Sequence, residues 1–179
     1  MTVTQSYAAG RLHTAINGRR TQPDGEIYYT GGESAFRLAG AIATERDHTR
    51  NGIRFVGGTL RAQPLHRNGT WLGVYDLQQE IEIEVHGGFL ESVGENAQAG
   101  GFLFTRFRQA GAPEREVHFF LAPYLACGLS NGFFDEDLLE FTICGNNTFE
   151  PSGRPVQDPA LRVGLDLHVC ALLDQQAAA

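Results

Sequence analysis

Strict alternation of apolar and polar residues is the feature that most limits how this chain can fold. It occurs in residues 79–86 and, over a longer stretch, in residues 160–173. Successive side chains of a β-strand point to opposite faces, so both segments are predicted to be strands with one buried face. The residues expected to be buried are Ile81, Ile83, Val85, Leu165, Leu167 and Val169. The residues expected to be more exposed are Glu80, Glu82 and Glu84.

Further strands are predicted wherever apolar and β-branched runs lie between turn-forming residues. They are 26–30, 52–61, 70–76, 101–108, 116–126 and 138–144. Helix is scarce, since residues 33–43 fit either a short helix or a strand and residues 131–138 fit one helical turn. The chain is therefore predicted to be all-β. We expect a single-domain antiparallel β-sandwich or barrel, jelly-roll-like or tail-tube-like, with at most one or two short helices.

The length of 179 residues fits one domain. The first 25 residues are polar, with turn signals at Asn17-Gly18 and Pro23-Asp24-Gly25, and predict an extended N-terminal arm. Residues 26–179 are expected to form the β domain. No apolar run approaches the roughly 20 residues that span a bilayer, and no secretory signal begins the sequence. A cytoplasmic location without a membrane partner is the expectation.

The charges are distributed unevenly along the chain. All 14 basic residues are arginine, and the formal net charge is −7. Residues 1–74 hold nine arginines and five acidic residues, a net of +4, whereas residues 75–179 hold five and 16, a net of −11. This asymmetry indicates an interaction surface, unless the two halves interleave and neutralise each other locally. The negative total argues against a nucleic-acid partner, despite the basic residues Arg11, Arg19 and Arg20.

Motifs of catalysis are missing from the sequence. It has no G-x-S-x-G nucleophile elbow, P-loop, G-x-G-x-x-G turn, H-E-x-x-H helix or calcium loop. The ladder Glu80, Glu82 and Glu84 has the spacing of paired glycosidase carboxylates, but a solvated face or one that meets arginines is the favoured interpretation. We therefore predict that the chain is not an enzyme.

Histidines and cysteines are the remaining candidates for chemistry. His86, His118 and His168 lie on predicted strands and would converge on a metal in a cupin-like barrel. However, no H-x-H pair occurs, and hydrogen-bonded or solvated histidines are favoured. The three cysteines are widely spaced and are expected to be unpaired: Cys127, Cys144 and Cys170. No metal and no cofactor are predicted.

By elimination, the sequence predicts a structural, self-assembling protein. The expected type is a virion component of a bacterial virus, such as a capsid, decoration or tail-tube subunit, made in the host cytoplasm. Its partners would be copies of itself and other structural proteins. The candidate interface residues are Arg11, Arg19, Arg20, Phe133 and Phe134.

The alternative is a small-ligand or carbohydrate-binding β-barrel or sandwich, with a barrel enzyme as the third choice. Twelve phenylalanines against one tryptophan indicate core packing rather than sugar stacking. A pocket lined by convergent polar groups would favour ligand binding. A large, flat, arginine-rimmed surface would favour assembly.

Overall fold

The computed structural model describes residues 3–14, 19–21, 27–29, 34–47, 49, 52–65, 75–76, 78–93, 98–122, 133–134, 138–149, 152, 154 and 163–172. These residues form 11 β-strands and no helix, which confirms the predicted all-β class. The strands are β1 (Val3–Thr14), β2 (Arg19–Thr21), β3 (Ile27–Tyr29), β4 (Ser34–Asp47), β5 (Gly52–Pro64), β6 (Ile81–Val93), β7 (Gln98–Arg108), β8 (Arg115–Ala122), β9 (Phe133–Phe134), β10 (Leu138–Phe149) and β11 (Val163–Leu172). Nowhere in these ranges is there a helix with the length and apolar character needed to cross a membrane.

Nine strands pair in one antiparallel sheet, in the order β11-β1-β4-β5-β6-β7-β8-β10-β9. Strand β10 also pairs with β11 over eight residue pairs, from Leu138↔Leu172 to Gly145↔Leu165. The hydrogen-bonded order therefore returns on itself, and the sheet curls around one apolar core. Strands β2 and β3 pair separately as a two-stranded sheet.

The concave side of the sheet carries the core that the alternation predicts. All six predicted core residues of β6 and β11 are at most 1% exposed, which confirms that expectation. The glutamates face the other way, with Glu80 and Glu82 side chains 43% and 47% exposed, also as predicted. The largest buried side chains are Phe36, Phe55, Phe107 and Phe119. Side chains thus fill the interior at the described positions.

Residues 33–43, which the sequence left open between helix and strand, lie in β4. Buried Phe36, Leu38 and Ile42 on this strand contrast with exposed Arg37 and Ala39. Neighbours on both edges, β1 and β5, supply the backbone hydrogen bonds that fix it as a strand. In the segment where one helical turn was expected, Phe133 and Phe134 instead form β9 beside β10.

The N-terminal segment differs from the extended arm expected from its sequence. Residues 3–14 form β1, which pairs with β4 on one edge and β11 on the other. Its buried face consists of Ser6, Ala8 and Leu12, so small and polar residues hide the alternation. Arg19 and Arg20 lie in β2, in register with Tyr29 and Tyr28. Residues 3–14 are therefore a strand of the main sheet, paired on both edges.

Candidate functional site

Two β-bulges interrupt the alternation of the neighbouring strands β5 and β6. The β4–β5 register skips Val56, and the β6–β7 register skips His86. A bulge adds one residue to a strand, bends it and re-aims the side chain, and bulges are frequent beside functional sites. Both extra residues are exposed on the outer face of the sheet.

The pairing between strands β5 and β6 is also interrupted at this point. Its paired residues stop at Arg54↔Phe89 and resume at Gly58↔Val85. Residues 55–57 and 86–88, which lie between these pairs, include three glycines. At Gly88, φ is +128° and an added Cβ would lie 2.3 Å from the backbone oxygen of Phe102. Other residues rarely adopt this φ, and the neighbouring backbone leaves no room for a Cβ atom, so this position requires glycine.

A hollow of about 470 Å³ lies on the outer face over this opening. Its walls combine two charged residues, one imidazole and two aromatic rings: Asp47, Arg54, His86, Phe89 and Phe104. Val56, Gly87, Gly88 and the almost fully buried Phe55 complete the surface. This depression, called the β5–β6 hollow below, is therefore lined by both apolar and polar side chains.

The charged residues of the β5–β6 hollow are held in position by neighbours. The Asp47 carboxylate accepts hydrogen bonds from the backbone nitrogen of Thr49 at 3.2 Å and from its hydroxyl at 2.6 Å. Arg54 forms an ion pair with Glu45 through its Nη2 atom. Such contacts restrict the side chains before any ligand arrives, which lowers the entropy cost of binding.

Half-buried phenylalanine rings extend from the hollow across the outer face of β6, β7 and β8. Ring centroids lie 5.7 Å apart for Phe89 and Phe102, and 5.4 Å apart for Phe102 and Phe120. Phe104 continues the row to His118, at 4.8 Å. The phenylalanine-rich composition indicates core packing, yet these four rings lie outside the core because they occupy outward-facing positions.

His86 and His118 meet a single carboxylate on the same face. Glu116 and His118 are two residues apart on β8 and so point the same way. The Glu116 Oε2 atom lies 2.9 Å from His86 Nε2 and 3.2 Å from His118 Nε2. Arg106 Nε donates to the other oxygen, Oε1, at 2.7 Å. Among the described residues, His86, Glu116 and His118 are the group whose ligand atoms lie close enough to share one ion.

The environment of Glu116 favours its ionised form. Burial would raise the pKa of this carboxyl, but hydrogen bonds from Arg106, His86 and His118 outweigh burial. The pKa of Glu116 therefore lies below its ordinary value, and the group is a carboxylate at neutral pH.

The glutamate ladder of β6 meets arginines of β7 and one of β5. In register, Glu82 faces Arg108 and Glu84 faces Arg106. The Glu84 carboxylate lies 2.6 Å from Arg108 Nη2, and Glu80 lies 3.5 Å from Arg61. The favoured interpretation of the ladder, a face that meets arginines, agrees with this arrangement. Ion pairs occupy the carboxylates that the glycosidase alternative would need for catalysis.

The other candidates from the sequence lie elsewhere. Arg11 is exposed on β1, in register with Arg37 and Asp166. The side chains of Arg19, Arg20, Phe133 and Phe134 lie outside the described residues, so the predicted interface stays a prediction. His168 is exposed on β11, separate from the other two histidines.

Cys170 is a free thiol. Cys127 and the side chain of Cys144 lie outside the description.

Sequence reasoning missed Asp47, Arg54 and Glu116 as site residues. The available signals were weak: the Glu-x-His spacing of Glu116 and His118, and the paired glycines that end the alternation of β6. Comparison with protein-family models, with curated proteins and with solved structures found no match. The chemistry of the site is therefore argued from its side chains.

Proposed function

We propose that this protein binds a small ligand that has a planar apolar group and an anionic group. The observation that carries the proposal is the β5–β6 hollow, where two bulges and an interrupted ladder create a space of about 470 Å³. Sites for small molecules have volumes of roughly 300–1,000 Å³ and combine apolar walls with a few polar groups. The hollow satisfies both conditions.

The walls define the class of ligand. Phe89 and Phe104 offer ring surfaces, against which a planar group packs in an offset or edge-to-face arrangement. Arg54 uses Nη2 for its pair with Glu45, and a guanidinium has five N–H donors, so others are available to a carboxylate or sulfonate. Asp47 adds an acceptor for a hydroxyl or amine.

Packing of the interior supports a site on the outer face. The core residues that β5, β6, β7 and β8 contribute are at most 1% exposed, so side chains occupy the concave side. A ligand there would have to displace well-packed groups, at a cost of several kcal/mol. The bulged outer face offers space without that cost.

The test uses the aromatic sulfonate 8-anilinonaphthalene-1-sulfonate as a probe, titrated in the presence of a chelator and followed by fluorescence. Wild type should bind one equivalent. Arg54→Gln should weaken binding about 10–100-fold, the worth of a charge-assisted hydrogen bond. Val56→Trp should also weaken it, because the larger side chain fills the hollow.

Arg61→Gln is the matched control, since Arg61 lies on the same strand, is also ion-paired and does not line the hollow. It should bind the probe as wild type does. Circular dichroism checks that each variant is folded. If Arg54→Gln and Val56→Trp bind the probe as tightly as Arg61→Gln, the proposal is wrong.

Self-assembly, including the role of a virion component, is the second candidate. It is supported by Tyr7, which is 73% exposed on β1 beside a shallow hollow of about 570 Å³ lined mainly by small residues of β1 and β4. A second copy would cover this ring. Light scattering should then give a mass above 19.6 kDa for wild type and a lower mass for Tyr7→Ser. A monomeric wild type at high protein concentration and low salt would exclude this candidate.

A further inference from the structure

A three-residue cluster beside the β5–β6 hollow has the composition of a metal site. It consists of His86 on β6 and of Glu116 and His118 on β8, and its ligand atoms all lie within 4.8 Å of one another. Both imidazoles turn Nε2 toward the same carboxylate oxygen, at 2.9 and 3.2 Å. The bulge at His86 aims its ring across β7 toward β8, so the convergence depends on the tertiary fold.

The two separations between imidazole nitrogens and the carboxylate oxygen match those that a tetrahedral ion imposes on its ligands. With bonds of about 2.0–2.1 Å, two ligand atoms on a tetrahedral zinc lie about 3.3 Å apart. The two nitrogen–oxygen distances in the cluster are close to that value. An ion would replace the protons that the imidazoles now share with Glu116. All three ligand atoms lie within 4.8 Å of one another, so the two rings would approach each other when the ion binds.

Surrounding groups hold the ligands in place, as they do in established metal sites. Arg106 Nε binds the Oε1 atom of Glu116, which leaves Oε2 directed at the histidines. The positive charge of Arg106 is offset by Glu84 at 3.5 Å and Glu114 at 3.4 Å. The ring of Phe104, with its centroid 4.8 Å from that of His118 and 6.4 Å from that of His86, packs against both imidazoles.

We infer that His86, Glu116 and His118 bind one divalent transition-metal ion, with Zn²⁺ as the best fit. Two imidazoles and a carboxylate are a donor set that zinc uses, whereas Mg²⁺ and Ca²⁺ prefer oxygen alone. His86 is exposed and the other two ligands are half-buried, so water or a ligand atom can complete the coordination. The site goes beyond the proposed function and does not depend on it, since His86 is the one metal ligand that also lines the hollow.

The experiment is a titration of the full-length, metal-stripped protein with Zn²⁺ by calorimetry. A parallel titration with Co²⁺ is followed by its visible absorption, which reports coordination geometry. One equivalent of each ion should bind to wild type. His86→Ala and His118→Ala should each weaken binding by more than about 100-fold, because loss of a ligand exceeds the 10–100-fold effect of an outer-shell partner. Mg²⁺ should not compete.

His168→Ala is the matched control, since His168 is also exposed on the outer face but lies on β11. It should bind Zn²⁺ as wild type does. Thermal unfolding gives a second measure: Zn²⁺ should raise the Tm of wild type and His168→Ala, but not that of His86→Ala. Wild type without stoichiometric binding, equal binding by His86→Ala and wild type, or Mg²⁺ binding as tight as Zn²⁺ would each overturn the inference. The probe titration is carried out with a chelator and so tests the hollow without a metal ion. The ligand-binding proposal and the metal-binding inference can therefore fail independently of each other.

Discussion

Ile83 illustrates how a single residue contributes to stability through burial. It lies in the middle of β6, is 1% exposed, and faces Phe107 of β7 in register. Ile83→Ala should lower the free energy of unfolding by about 2–5 kcal/mol, because it removes buried methyl groups and leaves a cavity. Urea denaturation measures this loss. The control is Glu82→Ala, at the preceding exposed position, which should cost at most about 1 kcal/mol. Similar losses for the two variants would contradict the assigned faces of β6.

The ionisation of Glu116 should appear in the pH dependence of stability of the metal-free protein. The groups that face it are Arg106 from β7, His86 from β6 and His118 from its own strand. Because they hold its pKa below the usual 4.5, the carboxylate contributes stability that is complete above about pH 4.5. This contribution is lost as pH falls through the lower pKa of the folded state.

Glu116→Gln removes that titration, so the advantage of wild type over the variant should be present at pH 7 and shrink below pH 4.5. Urea denaturation at a series of pH values, with a chelator present, measures the difference. Glu82→Gln, at an exposed position on β6, is the control for the loss of one negative charge. An advantage that stays constant down to pH 2 would show that the Glu116 contacts do not favour its ionised form.

At the scale of the element, the path of β6 through its bulge depends on Gly88. Its φ of +128° is rarely adopted by other residues, and an added Cβ would lie 2.3 Å from a backbone oxygen. Gly88→Ala should therefore lose at least about 1–3 kcal/mol from backbone strain. Gly57→Ala, across the opening on β5, is the control, because its Cβ would make an ordinary contact of 3.5 Å. The Tm of the two variants provides the comparison, and equal Tm values would contradict the described bulge.

At the scale of the whole molecule, β1 joins the two halves of the sheet. The arm interpretation predicts that deletion of residues 1–22 leaves a folded domain. The structure leads to the opposite expectation, because β1 pairs with β4 over 11 residue pairs and with β11 over eight. Deletion of residues 1–14 should abolish cooperative thermal unfolding, followed by circular dichroism. Tyr7→Ser, which keeps the strand and changes only an exposed side chain, should unfold cooperatively. A truncated protein that unfolds with the same transition as wild type would instead support the interpretation of this segment as an arm.

Local alternation explains why β6 and β11 were predicted with their correct buried faces. Side-chain direction in a strand has a period of two residues, so a run such as 81–85 specifies its own inward face. The same reasoning fails after a bulge. Leu90, rather than Phe89, is buried at the end of β6, because the extra residue His86 reverses the phase. Similarly, Phe55 and Leu60 are both buried on β5 although they are an odd number of positions apart, because the extra residue Val56 shifts the phase.

The sequence by itself determined the all-β class, the faces of the regular strands and the approximate positions of most of them, because these follow from neighbours along the chain. Only the tertiary structure decided that β1 belongs to the sheet, that Val56 and His86 are bulged, and that His86 lies beside Glu116, 30 residues away. Each of these depends on which strands become neighbours and in what register. Strand pairing joins distant parts of the chain, and local periodicity carries no record of the partner.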